Sequence, residues 1–561
     1  MAKLHRRREH AWRLALLLVA SSLSLALADT CVPPPVSFPI VNVTLPDGNI
    51  RRGASVKVGQ PPKEYSFLPN WGVNNTYLFG PDCPSEDFIH SAAACDTFRG
   101  GLYKPDASST DAHPNASYVP APDRFPAATY SLFTEKLTFD RFSLADVVLG
   151  RPLNVSKWDL QAYNPQHMLG LARGSTILGA LSAAGRVLSS SYGFFWGLDG
   201  LGDRDQFPGS LILGGYDRAK TIGNGYTQAL TPRADCPTGL MVLISDMVLN
   251  FRTGKDVSIF PGGNGGTALQ ACLVPELPVL IELPLDPYFS NMEKAIENEE
   301  VARSVGVDWW NVILNGSLPL YGGDLTFKLD SGLQLTIPNR QLIVPDRSIN
   351  DDGAVTVNAS RPVIRIDSLQ STTALSLPRI GRYFFTAAYL MSNPDAGKFT
   401  LWQANPVNDV DLVAVDASNA IVPTNSSCTP AASSGSGSGS GSGAAVTPTQ
   451  DPQPAPASGL SPGAIAGIAV GAAVVLGALG LLAWWLIRRR RNNERGPEDA
   501  ASAAPMASWT QGAQELGSPE QTKQGGSYAY YGHQEHPAPP PSEMPVPREH
   551  TISPGSVELE A

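Results

Sequence analysis

Charge is scarce in this chain. Only 16% of its 561 residues are Asp, Glu, Lys or Arg, against about 25% in an ordinary globular protein. The balance is acidic, with a net charge of −10, so no basic face for nucleic acid is expected. Histidine is scarcer still: between positions 29 and 428 there are only His90, His113 and His167. Neither a multi-histidine metal centre nor a Ser-His-Asp triad is expected, and no Gly-x-Ser-x-Gly elbow occurs. The glycine-rich stretch 262–266 lacks the Gly-Lys-Ser/Thr ending of a phosphate loop. No metal and no cofactor are called for. Six cysteines are too few to frame a small disulfide domain, but they suffice for a few staples. What is plentiful is glycine (53), proline (49) and apolar side chains (42%), enough for a sizeable core punctuated by turns.

Two apolar runs set the expected topology. Lys3, Arg6, Arg7 and Arg8 precede a mostly apolar stretch that ends at Ala26-Leu27-Ala28, the pattern of a secretory leader over residues 1–28. Residues 464–487 carry no charge and as a helix would reach about 36 Å, enough to span a bilayer. Trp484 and Trp485 stand at the end of that run and Arg488 to Arg491 follow at once, which places residues 488–561 in the cytosol by the positive-inside rule. The expectation is a single-pass type I membrane glycoprotein at the cell surface, with vacuolar or endosomal membranes as alternatives. Its sequons at Asn42, Asn74, Asn115, Asn154, Asn315, Asn358 and Asn425 all precede the span, as do all six cysteines. Nearness in sequence suggests Cys83–Cys95 and Cys236–Cys272, leaving Cys31 with Cys428, although six cysteines allow about 15 pairings.

The stretch 29–428 is dominated by short strand-like runs between Gly, Pro, Asn and Asp clusters, which predicts a mainly β fold. Examples are 55–59, 192–196, 210–213 and 325–329. Helical spacing is found at 176–187 and 292–305. Residues 429–463 turn to Ser, Gly, Pro and Thr and read as a flexible stalk. The tail is poor in apolar residues and is expected to be disordered. It holds Pro537-Ala-Pro-Pro-Pro541, which would suit an SH3-type or WW-type partner or be merely solvated.

An ordered set of segments carries a resemblance. Val58-Gly59-Gln60-Pro61-Pro62-Lys63-Glu64-Tyr65-Ser66-Phe67 resembles the opening strand-turn-strand of pepsin-like aspartic peptidases. Leu102-Tyr-Lys-Pro-Asp-Ala-Ser-Ser-Thr110 is similar to their Phe-x-Pro-x-x-Ser-Ser-Thr. Met168-Leu-Gly-Leu-Ala172, Ser210-Leu-Ile-Leu-Gly-Gly-Tyr-Asp217, and Ile380-Gly381 through Phe399-Thr-Leu-Trp-Gln-Ala404 follow in the family's order. The resemblance implies a two-lobed fold, with lobes over 29–230 and 231–428, and a cleft for a peptide.

It also implies a pair of aspartates, one from each lobe, sharing a proton to activate water. Counted from Gly59, the first falls on Asn70-Trp71-Gly72. For the second there are two candidates. Asp330-Ser331-Gly332 has the right letters but lies between alternating runs, as a hairpin turn would. Counting back from Gly381 instead leads to 270–278, with Val274 or Pro275 where the acid would be and Glu276 nearby. The family's glycine-rich flap has no counterpart at Tyr130-Ser-Leu-Phe-Thr-Glu-Lys136. The expectation is a non-catalytic relative that binds a peptide or polysaccharide segment. The alternatives are a tethered endopeptidase using Asp330 and a structural spacer.

Overall fold

The computed structural model describes residues 32–83, 89–153, 165–262, 267–369 and 376–424. All belong to the first of two compact units, Met1–Gly437. The leader, the stalk, the 464–487 segment, the tail, Cys31, Cys428, Asn154 and Asn425 lie outside the described residues. No described helix is long and apolar enough to cross a membrane.

The fold is mainly β. Alternation of apolar and polar residues produces it directly. In Asp324–Leu329 and Gln334–Ile337, for example, every second side chain is buried, as a pleated strand with one inward face requires. The four strand runs read from the sequence all appear, as Ile50–Val58, Tyr192–Phe195, Gly209–Leu213 and Asp324–Leu329.

The largest sheet has eleven strands and draws on residues 36–229 and 388–404. Thr221–Ala229, Lys398–Ala404, Ala388–Asn393, Tyr192–Phe195, Gly209–Leu213, Val36–Thr44, Ile50–Val58, Lys63–Asn70 and His167–Gly170 follow one another across it. An eight-stranded sheet is built from residues between 241 and 380, and a four-stranded sheet from residues between 300 and 364. One apolar cluster runs through both larger sheets. A ladder of rings joins them: Trp71 to Phe194 (4.9 Å), Phe194 to Phe385 (5.2 Å), Phe385 to Phe384 (5.4 Å) and Phe384 to Phe327 (5.4 Å). Edge-on aromatic contacts of this kind add to plain burial.

Among the described residues three strand pairs are parallel in this largely antiparallel fold: Ile281–Leu283 with Ile366–Ser368, and two that lead to the candidate site. Lys63–Asn70 pairs with His167–Gly170, placing Asn70 beside Gly170. Leu269–Leu273 pairs with Arg379–Ile380, placing Leu273 beside Ile380.

Helix is sparse. Thr176–Ala183 is capped by Ser175 Oγ on the Leu178 N–H. The helix expected over 292–305 is corrected. It runs only Ser290–Ile296, Glu297 turns left-handed, and Glu300–Arg303 is a strand. Asn298 decides this by bonding the Asn315 N–H and carbonyl, which fixes the chain alongside Val312–Leu314. A third helix, Ala92–Arg99, is not among the candidates read from the sequence. It is capped by Ser91, closed by left-handed Gly100 and stapled by the Cys83–Cys95 bridge. The Cys236–Cys272 bridge is also present.

Candidate functional site

The parallel pairs that end at Asn70 and at Leu273 lead to the positions where the resemblance expects aspartates. Asn70 ends the first pair. It is fully buried, its Oδ1 accepts the Gly72 N–H at 2.9 Å, and its carbonyl accepts the Leu171 N–H at 2.8 Å. In the second pair the register runs on one residue past Leu273–Ile380. The Val274 N–H donates to the Ile380 carbonyl at 2.8 Å, so Val274, not Pro275, holds the place matching Asn70.

A glycine at the end of one partner strand, Gly170, and one just past the end of the other, Gly381, make these turns possible. A Cβ on Gly170 would lie 2.4 Å from the Asn75 carbonyl oxygen, and one on Gly381 would lie 2.4 Å from that of Val279. Neither carbonyl can move without unpicking its loop.

Asp330 is elsewhere. It is exposed, on the turn between Asp324–Leu329 and Gln334–Ile337, where Gly332 takes φ +93°. Its N–H donates to Leu243, and its carboxylate makes no hydrogen bond or ion pair among the described residues.

An acid does approach Asn70, from two residues past Val274. A Cβ placed on Gly72 would lie 3.3 Å from Arg124 Nη1, 3.4 Å from Asn70 Oδ1 and 3.6 Å from Glu276 Oε1. An amide, a guanidinium and a carboxyl therefore converge on this one glycine. Glu276 is 6% exposed and its Oε2 has no hydrogen-bond partner. Burial pushes its pKa up, against the pull of the Arg124 charge.

Arg124 arrives on a loop pinned by Asp123. One oxygen, Asp123 Oδ2, accepts the N–H groups of Asn74 and Asn75, each at 3.0 Å, the Asn75 side-chain amide at 3.1 Å and the Tyr77 hydroxyl at 3.1 Å. The segment 130–136, which stands where the family has its flap, lies in the strand Tyr130–Thr138, hairpinned with Ser143–Pro152. Its tip folds back, Phe139 onto Phe38 at 5.4 Å and onto Phe142 at 4.6 Å. The segment over Gly72 is the Pro-rich loop ahead of that strand. The sequence could not flag Arg124, because its neighbours Gly72 and Glu276 are remote along the chain.

A groove of about 680 Å³ opens from Trp71 and Gly72, walled by Asn74, Arg173, Tyr192 and Asp395. Of the sequence-expected disulfides, two form and the third lies outside the described residues. Among the described residues no cluster of His, Cys, Asp and Glu could hold a metal ion. No family model matches this chain, and no curated protein matches it.

Proposed function

We propose that the chain is a non-hydrolytic relative of the pepsin-like aspartic peptidases. In this reading residues 29–428 form a two-lobed extracellular unit. It is tethered by the 464–487 segment and binds a peptide or polysaccharide segment without cutting it. The single observation that carries the reading is the pair Asn70 and Val274: Asn70 ends the parallel pairing of Lys63–Asn70 with His167–Gly170, and Val274 continues by one residue that of Leu269–Leu273 with Arg379–Ile380.

The family reaction needs two acids that share one proton. An amide takes no proton from water, and valine has none to give. Glu276 brings one carboxyl towards Asn70, but a single acid cannot serve as base and acid at once. Burial raises its pKa despite the Arg124 charge, but no second carboxyl among the described residues stands opposite to share its proton. The groove at Trp71 remains, and its size lies within the range of about 300–1,000 Å³ typical of ligand sites. The cytosolic tail would report or anchor, with 537–541 available to a proline-binding module.

The test is full-length protein incubated with a denatured substrate at about pH 3–5, with and without a statine-type inhibitor. No inhibitor-sensitive cleavage is expected. Cleavage that the inhibitor stops, and that Asp330→Asn or Glu276→Gln abolishes, overturns the reading. A peptide and glycan array probed with the same protein identifies the ligand, and a blank array favours the spacer.

A further inference from the structure

A second cavity, separate from the Trp71 groove, holds more positive charge than its surroundings neutralise. It measures about 410 Å³ and is lined in part by Arg51, Arg52, Arg347 and Arg382. Its walls come from distant parts of the chain. Arg51 and Arg52 lie on the strand Ile50–Val58, Arg347 on Ile343–Ile349, and Arg382 just past Gly381.

The acids facing these arginines are already engaged. Asp199 accepts Arg347 Nη1 at 2.8 Å, and Asp308 accepts Arg347 Nε and Nη2, both at 2.8 Å. Arg365, behind the wall, reaches Asp308 at 3.1 Å and Asp199 at 3.7 Å. Two acids thus answer two arginines. Arg51, Arg52 and Arg382 find only neutral partners. Arg52 donates to the carbonyls of Trp196 and Phe207 at 2.8 and 3.0 Å, and its Nε is buried with no partner. Arg382 donates to the carbonyls of Leu277 and Glu276, and the Glu276 carboxyl is the remaining acid within its field.

Arg51 is the telling residue. It is 5% exposed, and its Nε donates to Gln166 Oε1 at 3.2 Å. Its two terminal nitrogens make no hydrogen bond or ion pair among the described residues, although a guanidinium carries five N–H donors. Burial, and next the like charge of Arg382, lower its pKa to about 10. Burying cations without counter-charge is costly unless something supplies it.

We propose that this cavity is an anion site for a small carboxylate, sulfate or phosphate on a compact polar body. Arg51 grips the oxyanion with its planar fork, and Arg52, Arg347 and Arg382 supply the surrounding field. The volume fits a small molecule rather than a bare ion alone, and arginine suits bidentate oxyanion recognition. The site does not depend on what the Trp71 groove does.

The test is calorimetric titration of the full-length protein with glucuronate, inorganic phosphate and inorganic sulfate, each against chloride at matched ionic strength. Saturable binding of at least one of them near one equivalent per chain is expected, and the ranking separates the three chemistries. Arg51→Gln is expected to weaken that binding by at least about tenfold, with Arg51→Lys intermediate. Because a variant can misfold, phenylglyoxal labelling of the wild type is read in parallel by mass spectrometry. The bound anion should protect the Arg51 peptide. No saturable binding of any of the three, equal binding by a folded Arg51→Gln, or labelling of Arg51 unchanged by anion each overturns the proposal.

Discussion

Asn74 and Asn115 share the Asn-x-Ser/Thr acceptor pattern but not the same surroundings. The Asn74 amide donates to the Pro122 carbonyl at 2.5 Å while its oxygen accepts the Gly174 N–H at 2.8 Å, so both ends are occupied in a half-buried site. Asn115 and Asn358 are exposed. Each uses only its oxygen, on the N–H of the serine two residues on, leaving the amide towards solvent. Expressed in a secreting host, the chain should carry glycan at Asn115 and Asn358 and none at Asn74. Site mapping by enzymatic deglycosylation in heavy-oxygen water reads this directly. Occupancy at Asn74 would mean that the Asp123–Arg124 loop closes only after synthesis. The sequons were legible in the sequence. Which of them are accessible was not, because Pro122 and Gly174 lie 48 and 100 residues from Asn74.

The paired strands depend on a missing side chain at the same place in each. Gly170→Ala and Gly381→Ala each press a methyl against loop carbonyls at 2.4 Å, with second backbone oxygens at 2.7 and 2.6 Å. Each substitution should cost about 1–3 kcal/mol or more, since overpacking against backbone has no easy relief. Gly179→Ala, which meets nothing within 4 Å inside the helix Thr176–Ala183, should be neutral or stabilising. Denaturant unfolding of the three variants separates the cases, and equal midpoints would refute the close approach. Another element shows how far local reading goes. The hairpin of Ile343–Ile349 and Val355–Ile364 was not singled out in the sequence. Its tip docks on the helix Ala92–Arg99 and on the turn at Asn49, through Thr97 Oγ1 to the Gly353 carbonyl at 2.7 Å and Asn49 to the Asp352 carbonyl at 3.1 Å. That docking walls the anion cavity.

At the scale of the whole molecule, buried charge makes the fold sensitive to acid. The Asp308 carboxylate is fully buried. Burial alone would raise its pKa, but Arg347 and Arg365 outweigh this and hold it at about 2. The unfolded value is about 3.9, so the folded state binds fewer protons. Its stabilisation is full above about pH 4 and is lost as pH falls towards about 2. His167 adds a higher window. It is fully buried, its Nδ1 accepts the Phe79 N–H at 3.0 Å, and burial lowers its pKa to about 3. Below about pH 6.5 the unfolded chain takes up a proton that the folded imidazole refuses, which costs on the order of 3–5 kcal/mol by the lower end of the window. Melting temperatures measured from pH 7 to 3 should therefore fall steadily. His167→Asn should flatten the upper part of the slope. Asp308→Asn, which leaves Arg347 and Arg365 under-paired, should destabilise by about 3–5 kcal/mol at neutral pH. A protein whose stability is flat to pH 3 would contradict this, and would sit better with an acid-working enzyme.

Alternation and turn chemistry are local properties, so the sequence by itself determined the mainly β fold, the strand at 324–329 and the turn character of Asp330. Nearness along the chain likewise sufficed for the two disulfides. What only the tertiary structure decided is which distant groups meet. The register of Leu273 against Ile380 puts Val274 opposite Gly381. The loop at Asp123 brings Arg124 to Gly72, where Glu276 also arrives from the segment after Leu273, and two strands nearly 300 residues apart set Arg51 beside Arg347. Those meetings are fixed by backbone hydrogen bonds and packing between remote segments, and no window of the sequence contains both partners.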